Sequence, residues 1–478
     1  TAMASKPLPD AAAEKQIAQE FLDFLNSSKS NYAAVVTTKK LLETAGYKYI
    51  SEADSWSGKL QAGGKYYTTR NQTSIVAFAV GTAYSPAKNG FNISAAHTDS
   101  PCLRIKPVSA ITAASYLQVG LECYGGGLWA TWFDRDLGLS GRVLVSEGDK
   151  VVSKIVTIEK PLLKIPNLAI HLNRTVNDEG FKFNKEEQLV PIISSVVKNT
   201  FEEPVATQTG KEHHAVLLHV LAEAAQCKPE QIEGFDLSLT DVQPAVLGGA
   251  QSEFVFGGRL DNLMMSFVCV HALINSTSDA QLKDQEQVQI AVLFDNEEIG
   301  SDTAHGAGST LLQEMMERIG SSMAKLKNEE FTMSLALRKS FLFSCDMAHA
   351  LHPNYRGKHE SNHAPLMHFG VVIKENCNAR YATTVETKFI TRALAKKANV
   401  PTQPFVVRND SLCGSTIGPI LAAQLGLRCV DVGIAQWAMH SIRETAGTAD
   451  LVHGTQLVQS FYLNFAALDR TIFTDDQP

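Results

Sequence analysis

Residues 288–301 read VQIAVLFDNEEIGS. Six of the seven residues of VQIAVLF are apolar, Gln289 being the exception, and turn-forming Asp and Asn close the run, which fits a strand buried on both faces. Two adjacent glutamates, Glu297 and Glu298, follow at its end. Like charges side by side near a core are costly unless something offsets them. The run therefore constrains the chain twice: it asks for a sheet covered on both faces, and for a compensating charge at the sheet's edge.

The surrounding pattern agrees. From VLGGAQSEFVFGGRLDN onward, short apolar runs alternate with helical stretches: VQIAVLF, LLQEMMERI, KSFLFSCD, VETKFITRALAKKA, PFVVRND, GPILAAQLG, RCVDVG and TQLVQSFYLNFAALD. This alternation predicts an α/β sheet. Near the start, EKQIAQEFLDFL and YAAVVTTKKLLETAGY read as helices, the second capped by Gly46, and TSIVAFAVG and GFNISAAHTDSP as strands. Between residues 99 and 245 the texture is β-rich, with one helical stretch, EHHAVLLHVLAEAAQ. The expected organisation is a catalytic α/β domain formed by 3–98 and 246–478, with 99–245 inserted.

At 478 residues the chain exceeds the usual size of one core. A net charge of −7 argues against a nucleic-acid partner. No apolar run approaches the ~20 residues of a membrane span. The opening residues lack a basic segment followed by an apolar core, so no secretory signal is expected. Eight scattered cysteines without a C-x-x-C pair point to a reducing, cytoplasmic setting.

Residues of metal-ligand type follow several of the expected strands: His97 and Asp99, Asp261, Glu297 and Glu298, Asp346 and His349, and His440. Ligands of α/β sheets gather at the carboxyl ends of strands. Histidine and carboxylate without thiolate suit Zn²⁺, Mn²⁺ or Co²⁺, and a bridged metal pair fits hydrolysis. Spacing alone does not say which glutamate ligates and which acts as base.

The strings SAAHTDSP, GGGLWATWFDRDL, GRLDN, FDNEEIGS, SCDMAHA, VIKENCNARYA, CGSTIGPI and GIAQWAMHS, in that order from about residue 15 to 465, resemble the aspartyl aminopeptidase family of dinuclear zinc metallopeptidases. The resemblance implies a mixed-sheet metallopeptidase domain flanked by helices, with a β-rich dimerisation insertion. It implies two Zn²⁺ per subunit, with Mn²⁺ or Co²⁺ as replacements: one held by His97, Asp261 and Asp346, the other by Asp261, Glu298 and His440. Glu297 would be the general base and Asp99 would orient His97. Asp346, His349, His352, Lys374 and Tyr381 would contact the substrate, Lys374 and Tyr381 facing its acidic side chain. His171, in IPNLAIHLNR, would reach a neighbouring subunit's site in a tetrahedral dodecamer built from dimers. The implied activity is removal of N-terminal Asp, and less readily Glu, from peptides. Two alternatives are a dinuclear aminopeptidase of neutral specificity, which needs no cation in its pocket, and a silent scaffold or cargo protein, which would lack a ligand or the base.

Other motifs mislead. HESNH, 359–363, matches H-E-x-x-H, but Pro353, Gly357 and Pro365 flank it and no helical stripe surrounds it. YGGGLWATW lacks the G-K-[ST] of a phosphate loop and reads as a tight turn with aromatic packing. No G-x-S-x-G elbow occurs. His213 and His214 read as exposed polar residues.

Overall fold

The computed structural model describes residues 8–201 and 205–472. The outermost parts of the expected catalytic segments, 3–7 and 473–478, lie outside them. The described strands form three sheets, of nine, six and five strands.

The nine-stranded sheet contains β1 (Lys48–Tyr49), β2 (Lys65–Arg70), β3 (Ser74–Val80), β4 (Phe91–His97), β5 (Val288–Phe294), β6 (Phe341–Cys345), β7 (Val371–Lys374), β8 (Thr402–Phe405) and β9 (Arg428–Gly433). Their order is β1-β2-β3-β5-β4-β6-β9-β7-β8. The sheet is mixed: β5, β4, β6 and β9 run parallel, while β3 and β7 run antiparallel to their neighbours β5 and β9. The opening run occupies β5, and the pleat sorts its side chains. Ala291 and Leu293 join the core under helices Leu260–Asn275 and Thr448–Asp469. Ile290, Val292 and Phe294 join the core under Leu311–Lys327 and Ile417–Leu425. A two-faced burial of this kind is why the run is apolar apart from Gln289, which is itself buried. Phe343 of β6 stacks on Phe461 with ring centroids 4.3 Å apart; truncating a buried aromatic of this kind costs about 3–5 kcal/mol.

The first helix spans Ala11–Ser27, capped by the Asp10 carboxylate, which accepts from the amides of Ala12 and Ala13. The second spans Asn31–Thr44, with Gly46 just beyond it at φ +82°.

The six-stranded sheet is antiparallel and built from strands between Cys102 and Asp241. Helix Ala215–Ala225 packs Leu217, Leu218 and Leu221 against Leu139 and Val143 in a separate core. The histidines before this helix depart from the sequence reading. His213 is buried, its Nδ1 2.8 Å from Ser109 Oγ and its ring 4.5 Å from that of Phe235. His214 is half-buried, with Nε2 2.9 Å from the Ile111 carbonyl. The link between the short helix Gln208–Glu212 and helix Ala215–Ala225 buries what an isolated polar pair would expose.

The five-stranded sheet joins Val246–Gly248, Phe254–Gly257, Glu444–Gly447, Ala435–Trp437 and Ala348–His349. Its strands have two to four residues, too short for a periodicity signal. It borders the carboxyl edge of the large sheet and completes the site.

Candidate metal centre

Parallel pairing sets Phe294 opposite His97, so the ends of β5 and β4 leave the sheet together. Asp346 follows β6 directly. Asp261 lies in the first turn of helix Leu260–Asn275, after strand Phe254–Gly257, and its peptide bond to Asn262 is cis. His440, at φ +68°, turns between Ala435–Trp437 and Glu444–Gly447. The segments bearing Asp261, Glu297 and Glu298, Asp346, and His440 thus line one cavity of about 390 Å³, and His97 meets them from the end of β4.

Asp261 sits between two histidines. Its Oδ1 is 3.6 Å from His97 Nε2 and its Oδ2 3.4 Å from His440 Nε2. Glu298 Oε2 is 3.2 Å from His440 Nε2, and Glu297 Oε2 is 3.8 Å from His97 Nε2. The adjacent glutamates therefore diverge: ligand-type atoms of His97, Glu297 and Asp346 gather within 4.8 Å of one another, as do those of His97, Asp261 and Glu298. Asp261 Oδ1 and Glu298 Oε1 are buried without a hydrogen-bond partner. Buried carboxylate oxygens are rarely left so, and a cation between them accounts for both. The oxygen-and-imidazole donor set fits zinc.

The electrostatics fit as well. Burial pushes Glu298 up to about 7 and Asp346 up to about 6, against the opposing pull of His440 and Lys374 respectively. Burial also raises Glu297 well above the ordinary carboxyl range, opposed by His97 and reinforced by Asp346 and Glu298. Burial works against the charged form of both histidines, yet Asp261 with Glu298 lifts His440 to about 12, and Asp261 with Asp99 raises His97. This density of acidic groups holds positive charge, whether protons or a metal.

Asp99 does more than face His97. The His97 Nδ1–H reaches the Asp99 backbone carbonyl at 3.0 Å and its carboxylate at 3.3 Å. The carboxylate also accepts from the backbone amides of Glu297 and Glu298, both at 3.1 Å, and from the Tyr124 hydroxyl at 2.7 Å. Asn296, at φ +64°, donates to the same hydroxyl at 2.9 Å. Asp99 thus fixes the turn that presents both glutamates.

Lys374, at the end of β7, is 3 % exposed. Its ammonium donates to the Met347 carbonyl at 2.7 Å, stands 3.9 Å from Asp346 Oδ1 and lies 5.4 Å from the Tyr381 ring centre. Lys374, Tyr381 and His349 line the same cavity as the ligand-type residues Asp261, Glu298, Asp346 and His440. His349 is exposed to it, while the surrounding protein and then Lys374 hold the imidazole down to about 4. His352 lines an adjoining chamber instead. His171 is exposed on the single turn Ile170–Leu172 and does not line the cavity. HESNH forms bends and turns, with His359 and Glu360 also lining the adjoining chamber.

Three contributors went unread in the sequence. Glu444, fully buried, accepts from the amides of Leu260, Asp261 and His440 at 2.6, 3.2 and 2.9 Å, tying two ligand segments together. Burial and the Asp261 charge raise it to about 8. Tyr124 is the second. The glycine loop is the third: the Gly126 carbonyl lies 3.0 Å from His440 Nδ1, and a Cβ on Gly125 would stand 3.1 Å from that of Glu298. A run of three glycines beside an aromatic residue signals close backbone approach, which was the available clue.

The fold and this donor set define a metal-dependent hydrolase of the α/β metallopeptidase class. The chain belongs to the aminopeptidase I zinc metalloprotease (M18) family, whose model matches residues 24–462. It is 46% identical to a probable aspartyl aminopeptidase of Ricinus communis, covering 96% of this chain and 97% of that protein. It is 46% identical to an aspartyl aminopeptidase of Dictyostelium discoideum, covering 95% and 97%. Among solved structures, a cryo-EM structure of the Ape4 and Nbr1 complex matches with a TM-score of 0.93 and 44% identity, covering 98% of this chain and 90% of that one. The S. cerevisiae mApe1 dodecamer matches with a TM-score of 0.85 and 30% identity, covering 96% and 99%.

Proposed function

We infer that the protein is an aspartyl aminopeptidase, removing N-terminal Asp, and less readily Glu, from peptides. The observation that carries the acidic preference is the buried Lys374 ammonium beside the metal-ligand cluster. A buried cation of this kind is poorly matched to a neutral side chain and well matched to a carboxylate.

His97, Asp261, Asp346, Glu298 and His440 would hold two zinc ions per subunit, with Asp261 shared, and Mn²⁺ or Co²⁺ would substitute. When bound, the metal supplies Lewis-acid polarisation of the scissile carbonyl and a water of lowered pKa. Glu297 takes a proton from the attacking water as the new C–O bond forms, then delivers it to the leaving nitrogen as the C–N bond breaks. Lys374 and Tyr381 pair with the substrate's acidic side chain, and Asp346, His349 and His352 border it. Asp99 keeps the His97 imidazole and the glutamate turn in register.

Residues 99–245 act as the dimerisation unit of a dodecamer, and the partner subunit's His171 steadies the developing oxyanion. This is supported by exposed Leu168, Ile170 and Leu172 flanking His171 in the chain and by the dodecameric relative. Eight unpaired cysteines support a cytoplasmic location.

The test is Lys374→Met assayed on matched N-terminal Asp and Leu peptides. The Asp-over-Leu ratio of kcat/KM is expected to fall by about a hundredfold. An unchanged ratio removes Lys374 from specificity.

A further inference from the structure

Beside the cavity of the ligand-type residues lies a second chamber of about 330 Å³. His349, Tyr381, Phe405, Gly414 and Met439 line both, so the two spaces adjoin. The segment after β8 supplies much of the dividing wall: Val407 and Leu412 face the chamber, and Ser415 and Thr416 face the metal side.

The chamber's polar groups are largely occupied by the protein. Arg408 is held by Asp410 through two contacts of 2.8 and 2.6 Å. Glu360 accepts from His363 and from the Asn362 amide. His359 Nε2 accepts from the His352 amide at 3.1 Å, and the Trp437 indole donates to the Leu351 carbonyl at 2.9 Å. Lys358 stands exposed at the rim. Much of the remaining lining is apolar: Phe405, Val407, Leu412, Trp437 and Met439. Leu412 is fully exposed, at 101 %. A leucine held wholly in solvent at the mouth of an apolar chamber gains from an apolar occupant.

The shared lining with the cavity of the ligand-type residues points to that occupant. With the N-terminal residue seated against buried Lys374, the remainder of a peptide must leave past the shared wall. We propose that the chamber is the subsite for the residue following the scissile bond, and that it takes a large apolar or aromatic side chain. This rests on the aminopeptidase reading above and adds a second specificity to it: acidic before the bond, apolar after it.

The experiment compares kcat/KM of the zinc-loaded full chain on Asp-Phe-Ala, Asp-Gly-Ala and Asp-Glu-Ala. Aspartic acid α-amide, which has no residue beyond the bond, is assayed alongside. The Phe peptide is expected to exceed the Gly peptide by about tenfold or more, as burial of one aromatic side chain allows. Leu412→Ser, a change at a solvent position, and Trp437→Ala, deeper in the wall, should each bring the Phe/Gly ratio toward one by slowing the Phe peptide. A parent ratio near one, a preference for the Glu peptide, or a ratio unchanged in both variants would overturn the subsite. Failure of the parent on the amide and on all three peptides would overturn the aminopeptidase reading instead, so the two are separable.

Discussion

Glu297 and Glu298 are neighbours in the chain with different surroundings: one carboxylate reaches toward His97, the other toward His440. Glu298→Gln is therefore expected to lose metal, read by elemental analysis after gel filtration. Glu297→Gln should keep its metal and lose at least about a hundredfold in kcat, the usual worth of a positioned base. A Glu297→Gln enzyme with near-parental turnover removes it as base. Tyr124 comes from the six-stranded sheet, yet its hydroxyl bonds the Asp99 carboxylate that holds the glutamate turn. Tyr124→Phe should lower kcat about tenfold with KM and metal content little changed, as for other groups that orient a site through a second residue; loss of metal instead would make its role structural. At this scale the strand-end residues themselves were legible in the sequence, because ligand-type side chains after apolar runs are conspicuous. Which glutamate does which job was not, since spacing carries no direction. Glu444 and Tyr124 were invisible because each acts through another residue's backbone or carboxylate.

Among the elements, the strand ends impose tight tolerances. A Cβ on Gly433, at the end of β9, would lie 1.7 Å from the Asp346 carbonyl oxygen. Gly433→Ala should push Asp346 out of place, lower stability by about 1–3 kcal/mol as overpacking does, and weaken metal retention; a thermal melt and metal analysis check both. In the insertion, burial holds His213 down to about 4, with Glu212 opposing. Its unfolded value is near 6.5, so the unfolded chain gains a proton first as pH falls. His213 thus favours the fold least in acid: stability should decline from pH about 6.5 to about 4, and His213→Gln should flatten that decline in denaturant titrations. The α/β alternation and the β-rich stretch could be read from periodicity, and β5 lies where its apolar run predicts. The sheet order and the five-stranded sheet could not. Pairing is set by contacts distant in sequence, and strands of two to four residues leave no pattern.

At the scale of the whole molecule, assembly and catalysis are one question. If the partner subunit's His171 completes each site, His171→Ala and Glu297→Gln enzymes are each impaired, but mixed dimers contain one intact site. Refolding or co-expressing the two in equal amounts should restore about a quarter of parental activity under random two-fold pairing. No recovery in verified mixed assemblies would confine His171 to its own chain. The overall charge argued against a nucleic-acid partner without naming a substrate; the substrate class emerges only where Lys374, the ligand cluster and the family's chemistry meet. The most direct measurement is kcat/KM on Asp-Ala-Ala and Leu-Ala-Ala, with zinc loaded, after chelation and after zinc is returned. The Asp peptide should be preferred by about a hundredfold or more, with activity lost on chelation and regained with zinc. Equal or faster cleavage of the Leu peptide, or activity indifferent to chelation, would contradict an acid-specific metallo-aminopeptidase.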